Sequence, residues 1–432
     1  MAGMIKIKIF LLSICLVLFL LSCSSDSEQT DSNDENGIQY NPELSLDNVQ
    51  AMIDNAKEGD TIVLPTGTAK WTQPLILTKS MQLIGAGIDK TIIVNGIEDT
   101  ADNDYVVQII PDNPLDNPLI EVVGFTFDAD YEGGCIKVMS QSNDSAYSNF
   151  RIHHNKLKNT LDIDGDSYKS ICVKGHCFGL IDHNRFENNS YDFKIYGRQQ
   201  YSWDNFPGLE NIGSGNYLYI EDNESVGAVH HILTSGEGAR WVYRYNSAEI
   251  SVPWNALDAH GNSNNYGVVA HEIYGNIFAG NAPVLHDLRG GVGIVFNNLI
   301  NSDDNKQKRL RLREEDGLRD PPSSEAICPI TNTYVWNNLD VNSGRLIVQE
   351  VDNSDYNLVE LNRDYWTDAE VIDGGPVVLK SFAYGEALYR PLNPVDDDCY
   401  FETDTEKLYR SVGDNNWTYI YSPFTYPHPL NR

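Results

Sequence analysis

Five short segments of the chain carry ionisable side chains at a spacing of two, the interval at which residues of a β-strand point to the same side. They are ICVKGH (Ile171 to His176), FKIYGR (Phe193 to Arg198), ILTSGE (Ile232 to Glu237), NALDAH (Asn255 to His260) and VLHDLR (Val284 to Arg289). Aligned end to end, they stack His176, Arg198, Glu237, His260 and Arg289 in one column and Lys174, Tyr196, Ser235, Asp258 and Asp287 in a second. Solvated strand faces favour Thr, Ser, Lys and Asn. Here the outward positions are ionisable or phenolic except at Ser235, and they supply acid, base and cation for chemistry on a sugar. The residues between the columns, Gly175, Gly197, Gly236, Ala259 and Leu288, are mostly small and are expected to face inward.

Two reactions fit such a patch. Eliminating across a uronic acid ring needs a base for the C5 proton, a cation against the adjacent carboxylate and an acid for the leaving oxygen. His260 or Lys174 can serve as base, flanked by Arg198 and Arg289. Hydrolysis needs two carboxylates instead, about 5 Å apart for retention and farther apart for inversion. Glu237, Asp258 and Asp287 on neighbouring rungs offer both separations. Glu237 precedes Asn246 by nine residues and Arg289 precedes Asn298 by nine, which predicts the same rung position for both, with His260 between them. The substrate-contacting set is expected to include Arg198, Tyr196, Asp287 and His176. A third reading is a non-catalytic glycan-binding protein or adhesin, which needs only aromatic faces.

Holding five such segments in register requires a repeating scaffold, and the chain contains one. Seven segments end an apolar alternation in asparagine: Asn155, Asn184, Asn223, Asn246, Asn276, Asn298 and Asn338, at intervals of 29, 39, 23, 30, 22 and 40 residues. A floor of 22 or 23 residues with longer insertions predicts a solenoid of stacked strands turning at each asparagine. A solenoid grows by adding coils, so 432 residues are compatible with one long domain.

Lys and Arg number 31 against 62 Asp and Glu, a net charge of −31, which argues against a nucleic-acid partner. An acidic sugar remains compatible, because charge beyond about 8 Å is largely screened at physiological salt. Near the start, Lys6 and Lys8 precede an apolar run from Ile9 to Leu21, followed by Ser22 and Cys23. Leu20-Leu21-Ser22-Cys23 resembles the lipobox of bacterial lipoproteins, which implies a signal peptide over 1–22 and a lipidated Cys23. Residues 24–37 contain almost only Ser, Asp, Glu and Asn and predict a solvated tether over 23–38, with the folded domain at 39–432. This resembles the surface-exposed outer-membrane lipoproteins of Bacteroidetes-like bacteria, attached through lipid alone. A monomer is expected.

Ser45 is placed to cap a helix through Val49, Met52, Ile53 and Ala56, followed by alternating strands at Gly59 to Thr68 and Leu75 to Gly87. Such a helix suits a cap over the first open rung. This beginning, with the asparagine-ended rungs to about residue 345, resembles the right-handed parallel β-helix proteins of the pectin-lyase-like group. The resemblance implies an all-β, single-stranded right-handed parallel β-helix with an N-terminal capping helix. That group includes pectate and alginate lyases, glycosidases, phage tailspikes and adhesins, so fold alone does not choose a chemistry. Segments such as DAHG at Asp258, NRDYW at Asn362 and YPHPL at Tyr426 are similar to those of secreted bacterial β-helix proteins with no chemistry attached. From about Asp352 the chain is expected to pack along the coil and cover its last rung.

Two insertions bear on the site. Tyr201, Trp203, Phe206, Tyr217 and Tyr219 can wall the patch with stacking faces, Trp203 contacting substrate, or form a small core of their own. The run Asn305 to Asp320 concentrates Lys306, Lys308, Arg309, Arg311, Arg313 and Arg319 beside the Arg289 rung, either as positive potential for a polyanion or as a solvated loop. Asp162, Asp164 and Asp166 alternate as in calcium loops, but Val173 stands where an EF-hand has its bidentate Glu, so Ca2+ competes with a plain acidic turn. Cys172 and Cys177 bracket His176 without a second ligand pair at zinc spacing, and buried thiols are the simpler reading. No P-loop, GxSxG, HExxH or dinucleotide fingerprint occurs.

Overall fold

In the computed structural model, the described residues are 37–98, 104–140, 146–160, 169–197, 212–251, 255–261, 267–282, 284–301, 309–313, 329–342, 344–351, 359–369, 371–372, 382–414 and 416–432. Each coil contributes three strands, as in Leu218–Glu221, Glu224–Ala228 and His231–Gly236, after which Arg240–Arg244 begins the next. Strands stack on their counterparts three elements away in parallel register, giving one sheet of twelve strands and two of eleven among the described residues. The chain is a right-handed parallel β-helix. Parallel strands joined by crossovers take that hand because of the intrinsic strand twist.

The turn from the first sheet to the second explains the asparagine repeat. The residue before each asparagine is in the left-handed region: His154, His183, Asp222, Tyr245, Gly275, Asn297 and Asn337 have φ between 51° and 68°. That bend swings the next side chain into the coil, where the asparagines form one column. Asn223 Nδ2 donates to Asn246 Oδ1 (3.0 Å), Asn246 Nδ2 to Asn276 Oδ1 (3.1 Å), and Asn276 Nδ2 to Asn298 Oδ1 (2.9 Å). Each Oδ1 also accepts the backbone N–H of the preceding asparagine, for example Asn246 N at 2.9 Å. Burying these amides is tolerated because the ladder satisfies them. The ladder runs from Asn155 to Asn338 as the spacing predicts.

Inside the coil, Ile, Leu, Val and Phe from all three sheets make one continuous core. The helix Leu46–Asn55 covers its open start, burying Val49 and Ile53. Ser45 precedes it in an extended conformation, but its side chain makes no capping hydrogen bond.

Part of the outer face of the twelve-stranded sheet is buried as well. Tyr219, Tyr274, Phe296 and Trp336 project from it and are covered by a four-stranded sheet, Phe382–Gly385, Cys399–Glu402, Lys407–Ser411 and Trp417–Tyr421. The last residues then run back over the same face. Arg244 donates to the carbonyls of Phe424 (2.8 Å) and Thr425 (3.0 Å), and Arg151 to Asn431 Oδ1 (2.7 Å). NRDYW differs from expectation: Tyr365–Thr367 is itself a strand of the twelve-stranded sheet. Tyr217 and Tyr219 also belong to this covered face and make no wall beside the ionisable patch.

Candidate functional site

The patch lies on the third sheet, in a register that differs from the end-to-end alignment. Lys174 pairs with Tyr196 and Tyr196 with Gly236, while Leu233 pairs with Leu257 and Leu257 with His286. The N–H of His260 donates to Ser235 O and that of Arg289 to Ala259 O, which continues the column through both residues. The outer column therefore reads Lys174, Tyr196, Gly236, His260, Arg289. His176 and Glu237 fall outside it: His176 lies in the turn after its strand, and Glu237 sits at the corner with φ 55° between two glycines. Two residues earlier the column reads Cys172, Lys194, Thr234, Asp258, Asp287, Arg311. Ser235 points the other way. It is buried in the coil, accepts from Trp241 Nε1 (2.9 Å) and donates to Asp258 O (3.1 Å).

The shift has a local cause. Each strand begins with two consecutive residues in the interior, Ser170 and Ile171, Asp192 and Phe193, Ile232 and Leu233, Ala256 and Leu257, Leu285 and His286. This breaks strict alternation and sets a third outward column, Lys169, Tyr191, His231 and Asn255, three positions before the middle one. The centre of the face is then small. Thr234 and Gly236 form its floor, with Lys194 and Tyr196 on the preceding rung, Asp258 and His260 on the following rung, and His231 at the near end. Tyr196 and His260, two rungs apart, are separated by about 10 Å along the stack, room for one sugar ring.

The carboxylates of this face are held by guanidinium groups. Arg289 Nε and Nη2 donate to Asp258 Oδ1 (3.0 Å) and Oδ2 (2.7 Å), and His260 Nε2 lies 3.0 Å from Asp258 Oδ2 and 2.6 Å from Arg289 Nη2. Burial would raise the Asp258 carboxyl. The His260 hydrogen bond and the charges of His260, Arg289 and His231 more than offset it and hold Asp258 well below the usual carboxylate range. Asp287, fully buried, accepts from Arg311 Nε (2.9 Å) and Nη2 (2.7 Å), Arg313 Nη2 (2.9 Å) and Asn255 Nδ2 (2.9 Å). The Arg311 segment, one of the two readings of which was a solvated loop, is thus the strand Arg309–Leu312 continuing the face.

On the other side of the floor, Lys174 Nζ and Lys194 Nζ lie 5.2 and 4.8 Å from the Tyr196 ring centroid. Burial lowers the Lys194 ammonium, opposed by the charge of Asp258. His231 stacks on His230 (4.6 Å), Tyr191 packs tilted against both rings (5.3 Å from His231, 4.8 Å from His230), and His231 Nδ1 lies 2.6 Å from the Asn255 carbonyl. Burial lowers this imidazole to about 4.

Of the expected site residues, the face brings together Lys174, Tyr196, Asp258, His260, Asp287 and Arg289, leaves Glu237 and His176 at its corners, and adds Lys194 and His231. The latter two were missed because the alignment read only the last residue of each segment and the one two before it as site positions, which left Lys194 two residues further back unread, and the segment ILTSGE began one position after His231. Arg198, Trp203, Tyr201, Phe206, Lys306, Lys308, Arg319, the candidate calcium ligands Asp162, Asp164 and Asp166, and Cys23 lie outside the described residues. Cys172 and Cys177 are buried thiols, and burial raises both, Cys177 to about 12. Among the described residues, no three His, Cys, Asp or Glu side chains converge as metal ligands.

No family model matches this chain. No curated protein matches it either. Solved structures similar to it include an alginate lyase from Paenibacillus sp. str. FPU-7, at 13% identity over 72% of this chain and 89% of that one, TM-score 0.40. Another is Geobacillus virus E2 ORF18, at 10% identity over 87% and 82%, TM-score 0.41. A third is the catalytic domain of a GH87 α-1,3-glucanase in complex with nigerose, at 12% identity over 80% and 66%, TM-score 0.32. Likenesses of this size carry no argument about activity, and the fold described above stands on the strand pairings.

Proposed function

We propose that the protein is a polysaccharide-degrading enzyme that cleaves a uronic-acid-containing glycan by β-elimination on the floor formed by Thr234 and Gly236. The observation that favours elimination over hydrolysis is the state of the carboxylates. Asp258 and Asp287, two of the three carboxylates offered for hydrolysis, are each locked in a bidentate guanidinium pair and buried, and the third, Glu237, sits at the corner outside the columns. A general acid needs a raised pKa and a nucleophile needs a free lone pair facing the sugar. Asp258 is held in the opposite sense. What faces the floor instead is imidazole and ammonium: His260, standing on the Asp258 carboxylate, serves acid-base transfer. Lys174, Lys194 and Arg289 supply positive charge against the uronate carboxylate as the C5 carbanion develops. Tyr196, whose ring both ammonium groups approach, holds Lys174 and Lys194 beside the floor. The lipobox-like Leu20 to Cys23 supports attachment at the outer membrane through lipid, with the catalytic domain at the cell surface.

The test is to incubate the soluble protein beginning after Cys23 with acidic and neutral polysaccharides. Elimination yields a C4=C5 unsaturated uronate with new ultraviolet absorbance. New reducing ends without that absorbance would replace the lyase by a hydrolase, and affinity with no product at all would indicate a binding module.

A further inference from the structure

We infer that His231 is the proton acceptor of this site, with its Nε2 lone pair fixed toward the sugar and His260 returning a proton from the opposite side. The inference rests on the proposed elimination and adds to it a residue and a direction.

The argument begins with the tautomer. A backbone carbonyl only accepts, so the 2.6 Å contact between His231 Nδ1 and Asn255 O places the ring proton on Nδ1. Nε2 is then the unprotonated nitrogen. Among the described residues it meets no hydrogen-bond partner. The imidazoles whose nitrogens are buried without partners are those of His271 and His286, so the 8% of His231 that remains exposed includes Nε2. Stacking on His230 at 4.6 Å and a tilted contact with Tyr191 at 5.3 Å restrict the plane of the ring. A ring held in plane and tautomer loses little freedom when it reacts, which is the preorganisation a general base requires.

The charges facing it are of both signs. Asp258 and His260 on the next rung, and His230 beside it on its own coil, all act electrostatically on His231, with Asp258 opposing the two imidazoles. Lys194 lies on the preceding rung. The net result of burial and these groups is an unprotonated imidazole at neutral pH; its low pKa makes it a weak base in the free protein, so the assignment rests on its fixed ring and tautomer. His260 is differently placed: Arg289 Nη2 approaches its Nε2 to 2.6 Å and Asp258 Oδ2 to 3.0 Å, so that nitrogen is occupied by neighbours rather than presented to substrate. In the step, the C5–H bond breaks and its proton passes to His231 Nε2. The electron pair forms C4=C5 as the C4–O bond breaks, and the leaving oxygen takes a proton from His260. Each imidazole returns to its starting state by exchange with water.

The test has an arm that needs no substrate. In protein labelled with 15N at histidine, His231 should appear as the Nδ1–H tautomer and stay neutral well below the pH at which exposed histidines titrate. A ring protonated on Nε2, or one titrating like a model imidazole, overturns the inference whatever the protein acts on. In the kinetic arm, His231→Asn keeps an amide N–H for the Asn255 carbonyl but carries no basic nitrogen. It should lower kcat by about 10² to 10⁴ with KM and thermal midpoint near wild type. His231→Gln, which lacks the Nδ1 donor, should lose stability as well. Wild-type kcat in His231→Asn sinks the assignment while leaving the lyase intact. Absence of unsaturated product from the wild-type protein on every acidic polysaccharide sinks the elimination itself.

Discussion

Replacing Asn276 by alanine removes the middle of the asparagine ladder, and the consequence can be worked bond by bond. Four hydrogen bonds vanish: Asn276 Nδ2 to Tyr243 O (2.8 Å) and Asn298 Oδ1 (2.9 Å), and Asn246 N (2.9 Å) and Nδ2 (3.1 Å) to Asn276 Oδ1. Some partners keep alternatives. Asn246 Nδ2 retains Ile220 O and Arg244 O, and Asn298 Oδ1 retains Asn276 N. The Asn246 backbone N–H does not, and leaving it buried and unpaired costs about 1–3 kcal/mol. The remaining lost bonds add about 1 kcal/mol net, so the change should destabilise the coil by about 2–4 kcal/mol. Because long repeat arrays unfold in stages, the appropriate reading is local. Native-state hydrogen exchange at the amides flanking residue 246 should accelerate about 30- to 700-fold, and the thermal midpoint should fall. Ser247→Ala, an exposed change one rung away, sets the baseline within about 0.5 kcal/mol. Exchange and midpoint no more affected in Asn276→Ala than in Ser247→Ala would refute the view that the ladder holds the rungs in register.

The interior histidines predict an acid limit. His271 and His286 are buried with no partner at any ring nitrogen, and burial lowers both to about 3. Their folded values lie below the unfolded value of about 6.5, so stability is full above that pH. It falls by about 1.4 kcal/mol per pH unit per ring between there and about 3. His286→Leu should flatten that slope in pH-dependent thermal scans. Glu272 predicts the converse: burial raises it to about 7 despite its bonds from Tyr421 Oη (2.6 Å) and Gly213 N (2.8 Å). A raised carboxyl contributes stability that is complete below the unfolded value and lost as pH rises through about 7, so Glu272→Gln should raise the thermal midpoint more at pH 8 than at pH 5. In cells, Cys23→Ala should abolish lipid labelling and release the protein from membranes. Unchanged membrane retention would remove the lipoprotein proposal.

The asparagines were legible because a turn that needs a left-handed residue and a buried amide leaves a fixed signature, whatever loops intervene. His-Asn, Asp-Asn, Tyr-Asn and Gly-Asn all carry it. The ionisable face was legible only in outline. Its location on the strand before each asparagine-ended strand was visible, and so were Asp258, His260, Asp287 and Arg289 as neighbours. The register across Ile232 to Glu237 was not. A strand that starts with two inward residues reads the same in sequence as one shifted by a position. Counting nine residues to the next asparagine placed Glu237 opposite Arg289, because the corner at Glu237 and Gly238 turns through two positive-φ residues while Arg289 sits in the ladder itself. His231 had no signal of its own, since what distinguishes it is a carbonyl one rung away.

The most direct measurement of the central claim is a crystal structure of the protein beginning after Cys23 with an acidic oligosaccharide, using His231→Asn to stall the proposed turnover. The sugar ring at the cleavage point should lie over Thr234 and Gly236, between Tyr196 and His260, with its carboxylate toward Lys194 or Arg289 and its C5 facing position 231. An oligosaccharide bound on either of the other two sheets, with this floor empty, would contradict the account.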